Sequence, residues 1–460
     1  MNSRSCSQHR EVTRIVIATL ILTALLVFVA KTIQAQSPAD IPQIDAAMRA
    51  AIIDSVTAKF NTIYVFPDVA KDMEKYVRKR MQDKAYDTLT DQAQFCEVLT
   101  NDLLEVCHDK HLWVRYASDE VLKFANTDSL TDDQRKELLR RQAYDNYGFY
   151  KLERLTGNVG YLDLRAFTDA SIAGETAIAA MKFLGNCNAL IFDLRQNGGG
   201  SPSMIQLISS YFFNDKQHLN SFYVRQTDSI VQFWTQEYVD GNKMVDVPIF
   251  ILTSDYTFSG AEEFTYNLKN MKRATVVGET TGGGAHPVER HAFDNLHVVM
   301  SVPFGRAINP ITGTNWEGTG IAPHIETPAE QALDVAHIEA LKAILQNTTE
   351  ENLIAGLTWT IANLEALHAP AVIDHAVMQK YAGVYGPRTI RYENGELVYQ
   401  REGRLPYPMV AMSEDTFVFK DIPYFRLKVE MDGDGNPVAL IGLYDDGHTD
   451  RSPIGAEEKK

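Results

Sequence analysis

The N-terminal third of the chain has the apolar spacing of helices. Ile44, Met48, Ile52 and Val56 recur at intervals of about one helical turn, which predicts one buried helix face. A second run of this kind lies further on, just before a short apolar segment that is typical of a strand. The pattern therefore predicts an N-terminal helical domain over residues 36–145.

From about residue 155 the pattern changes to short apolar strands that alternate with helices. Alternation of this kind is typical of a layered α/β domain, which we place at residues 146–335. The predicted strands are 159–164, 189–194, 248–252 and 274–277, and the predicted helices are 171–184, 204–213 and 261–270.

The last part of the chain has a third pattern. Residues 336–370 have helical spacing and predict a connector. In residues 371–460, short segments of alternating character are separated by Asn-Gly and Asp-Gly pairs, such as Asn394-Gly395. These pairs favour hairpin turns, so we expect a small antiparallel β domain.

Residues 1–35 form a separate segment with a positive start and an apolar centre. Four basic residues stand against one acid, and an apolar run at residues 15–30 precedes the small Ala35. This order is typical of a cleavable secretory signal peptide. The alternative is an uncleaved membrane anchor, although the run is shorter than the roughly 20 residues that span a bilayer. We expect an exported, periplasmic protein, with membrane contact only through this segment if it stays uncleaved.

Charge and composition narrow the function classes. The chain has 460 residues, with 44 Lys and Arg against 60 Asp and Glu, and its formal net charge is −16. Nucleic-acid binding rests on basic side chains that neutralise phosphates, so this balance argues against nucleic acid as a partner. A hydrophobic fraction of 45% is that of an ordinary globular protein.

A glycine-rich turn follows the strand predicted at residues 189–194. The sequence from Asp193 to Gly200 reads Asp-Leu-Arg-Gln-Asn-Gly-Gly-Gly. Consecutive glycines let backbone N–H groups converge, so such a turn can cradle an anion or a developing oxyanion. The alternative is a tight strand-to-helix turn. A dinucleotide site is disfavoured because the G-x-G-x-x-G spacing is absent.

Ser259 lies where another predicted strand runs into a helix. Ser259 and Glu262 fit the S-x-x-E capping box, which makes a simple helix cap one interpretation. In the other, the serine presents its hydroxyl as a nucleophile while the N–H of Gly260 points at the reacting carbonyl oxygen. Both roles can coexist at one corner.

A nucleophilic serine needs a base and a group that orients the base. His111 lies where the helical domain becomes a strand, and either it or His108 could face a cleft. A metal site on these two histidines is disfavoured because no third ligand is obvious nearby. Glu317 lies in a glycine-flanked loop. Alternatively, His111 is an ordinary surface or core histidine, and the loop that carries Glu317 is a solvated turn.

The ordered set of these segments resembles one serine peptidase family. The family includes the C-terminal processing proteases, the tricorn core protease and the interphotoreceptor retinoid-binding protein. The matching segments are residues 157–161, 193–200, 257–263, 278–287 and 316–323, together with the segment around His111. The resemblance implies a ClpP/crotonase-like ββα catalytic domain, with the histidine delivered from the N-terminal side. No stretch resembles a PDZ module.

One position separates the two catalytic branches of this family. The processing-protease branch has a lysine base where this sequence has Gly283 or Gly284. The tricorn-like branch uses Ser, His and Glu, which the resemblance places at Ser259, His111 and Glu317. The resemblance also implies an oxyanion hole made by the backbone N–H groups of Gly200 and Gly260.

The resemblance implies an exported serine peptidase that hydrolyses peptides or unfolded proteins through an acyl-enzyme on Ser259. It implies no metal and no organic cofactor, and it leaves the oligomeric state open. His286 is a candidate for lining the cleft, or else a loop residue with satisfied hydrogen bonds. The alternative function is a non-catalytic protein of the same fold that holds apolar or peptide ligands.

Overall fold

The computed structural model describes residues 41–125 and 130–455. The predicted signal segment lies outside these residues. Among the described helices, none combines the length and the apolar character that crossing a membrane requires. Contacts divide the chain into two compact units: the first runs to Arg154 and resumes at Gly160–Ala332, and the second combines Leu155–Val159 with Leu333–Lys460.

The first unit begins with helices, as the spacing predicts. The elements are α1 (Ala46–Ile63), α2 (Pro67–Gln82), α3 (Gln92–Cys107), β1 (Trp113–Tyr116), α4 (Asp119–Ala125) and α5 (Asp132–Tyr144). Asp91 caps α3 by accepting a hydrogen bond from the N–H of Gln94 at 2.8 Å, and His108 ends the helix in the left-handed conformation. These two caps set the point at which the chain turns toward His111.

The α/β part of this unit follows along the chain. Its strands are β2 (Phe149–Leu155), β3 (Val159–Leu164), β4 (Ala189–Asp193), β5 (His218–Val224), β6 (Ser229–Trp234), β7 (Ile249–Thr253), β8 (Ala274–Gly278), β9 (Val288–Phe293), β10 (Val298–Pro303), β11 (Gly305–Ile308) and β12 (Ile325–Glu326). Its helices are α6 (Ala170–Leu184), α7 (Pro202–Ser209) and α8 (Gly260–Asn270). The predicted α/β class is confirmed.

The central sheet has six strands in the order β12-β8-β7-β4-β3-β2, and β4, β7, β8 and β12 pair in parallel. Strands β4 and β7 are buried along their whole length, as expected for parallel strands covered on both faces. Because parallel strands end at the same edge of a sheet, the turns that follow β4, β7 and β8 come together there.

Strand β1 joins the helical segment to the α/β part. It pairs antiparallel with β10, with Trp113 opposite Ser301, in a three-stranded sheet of order β1-β10-β9. Buried side chains of α1 and α3 share one apolar cluster with those of β10. This pairing fixes the segment that immediately precedes β1, which includes His111.

The second unit is helical at its start and antiparallel at its end. Its helices are α9 (Ala332–Gln346), α10 (Glu351–His368) and α11 (His375–Tyr381). Two antiparallel sheets follow, one of four strands between Gly383 and Pro408 and one of five strands between Val410 and Pro453. The antiparallel character predicted for the C-terminal part is confirmed.

Candidate active site

The glycine turn after β4 approaches the start of α8 very closely. Gly200 has φ +144, and a Cβ there would lie 2.2 Å from the carbonyl oxygen of Phe167. A Cβ on Gly260 would lie 2.8 Å from the Gly200 nitrogen. Only glycine lets the two backbones meet at this distance. The backbones of Gly200 and Gly260 therefore lie directly against each other.

Ser259 occupies the cap position of α8 in a strained conformation. Its φ of 55° and ψ of −120° lie outside the ordinary regions for a residue with a side chain. Such a conformation costs on the order of 1–3 kcal/mol and persists only where the surroundings impose it. A Cβ on Gly199 would lie 2.8 Å from the Ser259 Cβ, so the serine is pressed against the glycine turn.

Glu262 joins the serine corner to the loop after β8. Its carboxylate accepts hydrogen bonds from the N–H of Ser259 at 2.9 Å, Gly283 at 2.7 Å and Gly284 at 2.8 Å, and from the Thr281 hydroxyl at 2.5 Å. Burial raises the pKa of Glu262, while these four donors stabilise its ionised form. Glu262 thus makes the predicted capping interaction and also holds the loop after β8 through buried hydrogen bonds.

His111 lies buried between the end of α3 and the start of β1. Its ring packs on Phe258 with centroids 4.6 Å apart, and its backbone N–H donates to Asp109 Oδ1 at 3.1 Å. Neither ring nitrogen has a hydrogen-bond partner among the described residues. Burial lowers the pKa of His111 to about 4, so the imidazole is neutral at pH 7.

Asp109 and His286 form a buried pair beside His111. His286 Nδ1 lies 2.6 Å from Asp109 Oδ2, and the Tyr64 hydroxyl lies 3.4 Å from the same oxygen. Burial alone raises the pKa of Asp109, but the hydrogen bond and charge of His286 outweigh it and hold the pKa below its usual value. Burial opposes protonation of His286, yet Asp109 raises its pKa above the usual value. Both pKa shifts therefore favour the charged forms of the pair, a carboxylate and an imidazolium.

Glu317 approaches the same ring nitrogen of His286 as Asp109 does. Its Oε2 accepts a hydrogen bond from the N–H of Ala285 at 2.6 Å and lies 3.5 Å from His286 Nδ1. Its Oε1 has no hydrogen-bond partner among the described residues. Burial, and then the negative charge of Asp109, raise the pKa of Glu317 to about 7.

Asp109, His111 and Glu317 also fit together as a set of candidate metal ligands. Each offers one ligand atom, and these atoms lie within 4.8 Å of one another. Both carboxylates already accept hydrogen bonds, Asp109 from His286 and Glu317 from Ala285.

The predicted site residues fall into two adjacent groups. His111 and Glu317 come together with Asp109, whereas Ser259, Gly200, Gly260 and His286 line one cleft. Gly284 touches both groups, because a Cβ there would lie 2.6 Å from Cε1 of His111. Among the described residues, no hydrogen bond joins Ser259 to either histidine.

Sequence reasoning assigned no role to Asp109, Phe258 or Tyr64. Asp109 carries the only local signal of the three, because it stands two positions before His111 and accepts its backbone N–H. Phe258 adjoins Ser259 in sequence, but only the fold places its ring against the histidine. Tyr64 comes from the end of α1, and no pattern along the chain connects it to the site.

The site brings together a strained serine at a helix start, two closely approaching glycine backbones, and neighbouring buried histidines and carboxylates, which are the kinds of groups that a serine hydrolase uses. Comparison with known proteins narrows this class. Residues 158–327 match the model of peptidase family S41, and residues 36–147 match that of the N-terminal domain of Peptidase_S41 in eukaryotic IRBP. The chain therefore contains a peptidase family S41 domain and an N-terminal domain of that family, which is a family of serine peptidases. The resemblance noted in the sequence is confirmed.

Individual relatives match parts of the chain. The carboxyl-terminal-processing peptidase 2, chloroplastic, of Arabidopsis thaliana is 33% identical over 129 residues, 27% of this chain and 24% of that protein. The tail-specific protease of Haemophilus influenzae is 23% identical over 146 residues, 30% of this chain and 20% of that protein. The chain thus spans a quarter or less of the length of these relatives. The solved structure of the tricorn protease has a TM-score of 0.40 at 13% identity, covering 65% of this chain and 37% of that chain.

Proposed function

We propose that this protein is a serine peptidase that hydrolyses peptide bonds of peptides or unfolded proteins through an acyl-enzyme on Ser259. The observation that carries the proposal is the corner at the start of α8. There the strained Ser259 adjoins the amides of Gly200 and Gly260, and the described hydrogen bonds include none donated by either amide. Paired donors next to a nucleophile are what acyl transfer requires.

In this mechanism His111 acts as the general base. Its imidazole is neutral at pH 7 and its ring nitrogens have no other partner among the described residues, so it can accept the Ser259 proton. The serine oxygen attacks the peptide carbonyl, and the imidazolium returns the proton to the leaving amine. Rotation of the two side chains toward each other accompanies substrate binding, because catalytic hydrogen bonds often tighten only in the complex.

Glu317 orients His111 and stabilises its imidazolium form. The ligand atoms of the two side chains lie within 4.8 Å, and Oε1 of Glu317 has no other partner among the described residues. Neither ring nitrogen of His111 is hydrogen-bonded among the described residues, so the contact with Glu317 forms as the imidazolium forms. Asp109 adds a second negative charge nearby, while His286 holds it in place.

The N–H groups of Gly200 and Gly260 bind the oxyanion of the tetrahedral intermediate. They emerge from different elements, the turn after β4 and the first turn of α8, and they converge because neither residue has a side chain. The start of a helix also carries a partial positive charge that favours an oxyanion. Water then attacks the acyl-enzyme, with His111 again as base.

The test compares the parent protein with Ser259→Ala and with Ser413→Ala, which removes the hydroxyl of an exposed serine in the second unit. A fluorophosphonate probe should label the parent and the Ser413 variant, and Ser259→Ala should abolish labelling. Hydrolysis of unstructured peptides should fall by at least about 1,000-fold in Ser259→Ala, because the nucleophile is lost. Equal hydrolysis by Ser259→Ala and the parent would end the proposal.

A non-catalytic binding protein of the same fold is the second candidate. The observation that favours it is the absence, among the described residues, of a hydrogen bond between Ser259 and His111. Apolar side chains of Phe222, Val288 and Trp316 also line the cleft. Retention of an apolar or peptide ligand without labelling of Ser259 would select this function.

We infer an exported, periplasmic location, reached through a cleavable signal in residues 1–35. The support is the positive start, the apolar run and the small Ala35 in the sequence. The alternative is an anchor formed by the same uncleaved segment. Cell fractionation with N-terminal sequencing of the mature chain should give a soluble periplasmic protein that begins near residue 36. A full-length chain in the membrane fraction would support the anchor instead.

A further inference from the structure

The cleft beside Ser259 contains one acidic side chain that the proposed mechanism does not use. The cleft has about 30 Å³ of enclosed space and opens to solvent. Pro202, Phe222, Val288 and Trp316 give it apolar walls. Glu263 also lines it, four residues after Ser259 on α8. Residues four apart share one face of a helix, so the carboxyl group lies one turn below the nucleophile.

Glu263 is buried without a charged partner. Only 3% of the residue is exposed, and no ion pair among the described residues includes it. Its neighbour is Asn220 on β5, which is fully buried and whose two polar side-chain atoms have no hydrogen-bond partner among the described residues. Asn220 and Phe222 stand two apart along β5, so their side chains face the same side of the strand, and Phe222 lines the cleft.

Burial of the unpaired Glu263 and Asn220 side chains is unfavourable unless a bound group supplies hydrogen-bond partners. An unpaired buried polar group is destabilising, and more so if it is charged. Burial raises the pKa of Glu263 to about 8, opposed by Asn220, so Glu263 is a neutral acid at pH 7. An apolar side chain at this position would fill the same wall without that cost. A guest that brings hydrogen-bond donors and a positive charge removes the cost by letting the carboxylate ionise.

We propose that Glu263 and Asn220 form the polar end of the subsite for the residue whose carbonyl is attacked, and that this subsite takes a basic side chain. This inference rests on the proposed function. Lysine and arginine side chains carry only donors at their tips and have apolar stems. Glu263 and the Asn220 carbonyl oxygen supply acceptors, and Phe222 and Pro202 supply an apolar passage for the stem.

The position of the cleft assigns it to this residue of the substrate. Gly200, Gly260 and Ser259 line one end of the same cleft that Glu263 lines. When the two amides hold the carbonyl oxygen of a substrate residue, the side chain of that same residue lies nearest to the cleft. The stem of lysine or arginine is long enough to cover one helical turn of about 5.4 Å.

The experiment measures kcat/KM for two matched peptides, with lysine or norleucine before the cleaved bond, since these side chains have stems of equal length. The parent should prefer lysine. In Glu263→Gln the lysine-to-norleucine ratio should fall by about 30-fold or more, because truncating one partner of a buried charge pair costs 2 kcal/mol or more. Glu105→Gln, which removes an exposed carboxylate from α3, is the matched control and should keep the parent ratio.

A second measurement uses only the parent protein, so it does not depend on folding of the variant. The Ser259 hydroxyl adds across the C=O bond of a peptide aldehyde. The serine oxygen bonds to the aldehyde carbon, and the serine proton passes to the aldehyde oxygen. An aldehyde ending in arginine should inhibit more tightly than one ending in norleucine. A parent without basic preference, or a Glu263→Gln variant with an unchanged ratio, would overturn the subsite while fluorophosphonate labelling of Ser259 still supported the peptidase. Loss of both labelling and cleavage in the parent would overturn the proposed function and this inference with it.

Discussion

His111 and Glu317 reach their working protonation states at different pH values. Burial lowers the pKa of His111 to about 4, so this base is free to accept a proton over most of the accessible range. Burial and then Asp109 raise the pKa of Glu317 to about 7, so Glu317 becomes protonated first as the pH falls. A protonated Glu317 no longer stabilises the imidazolium. The acid limit of activity should therefore follow Glu317.

We expect kcat/KM of the parent to fall as the pH is lowered through about 7. In Glu317→Gln the rate should be at least about 100-fold lower, because the imidazolium loses its partner, and the decline near pH 7 should disappear. Peptide hydrolysis measured from pH 5 to pH 9 checks both points. Glu105→Gln serves as the control with an unchanged profile. A Glu317→Gln variant that retains the decline near pH 7 would assign that decline to another group.

Single residues differ in how far the sequence reveals them. Ser259, His111 and Glu317 stand in segments with a recognisable order, so the sequence could nominate them. The pair of Asp109 and His286 could not be found in this way, because 177 residues separate its members and neither lies in a pattern that requires the other. Glu263 stands in a motif that the sequence does show. Its burial beside Asn220 depends on how α8 packs against β5.

At the scale of elements, the site is a property of the parallel strand order. Strands β4, β7 and β8 are neighbours, so the glycine turn, the serine corner and the loop held by Glu262 meet at one edge. The turn after β4 can approach α8 only where side chains are absent. Gly200 is the most constrained of its glycines, since its φ is +144 and the Phe167 carbonyl lies directly against it.

Gly200→Ala should lower kcat by about 100- to 1,000-fold, the usual effect of losing one oxyanion donor. The reason is that the new methyl group would meet the Phe167 carbonyl oxygen at 2.2 Å and force the turn away from α8. Steady-state kinetics give the rate, and a thermal melt shows whether the fold is retained. Gly356→Ala on α10 is the control, because a Cβ there has nothing within 4 Å. An unchanged kcat in a folded Gly200→Ala protein would exclude this amide from the oxyanion hole.

The elements that the sequence predicted best are the ones buried on both faces. Strands β4 and β7 are continuous apolar runs between turn signals, and their positions match within a residue or two. The sequence did not reveal β5, β6, β9 or β10. Polar residues interrupt the alternation in the less buried β6 and β9, whereas β10 is buried throughout and was missed all the same. The pairing of β6 with β5 and of β9 with β10 depends on partners across hairpins and not on the composition of β6 and β9. The domain boundaries drawn from the sequence stay predictions.

At the scale of the molecule, the helical N-terminal segment and the α/β segment are one compact unit and not two. The negative net charge of −16 argues against nucleic acid as a partner and points to no particular partner. Within the first unit, the candidate active site combines residues from segments that lie far apart in the sequence.

The pairing of β1 with β10 has a consequence for the order in which the site comes into being. A chain made from its N-terminus carries His111 early, Ser259 much later and Glu317 last among the three. The segment that carries His111 gains its strand partner when Trp113 lies opposite Ser301. Until β10 has been synthesised, a chain that already carries both His111 and Ser259 lacks the strand pairing that fixes the histidine segment. A peptidase assembled in this order is inert toward its own emerging chain until nearly all of its first unit exists.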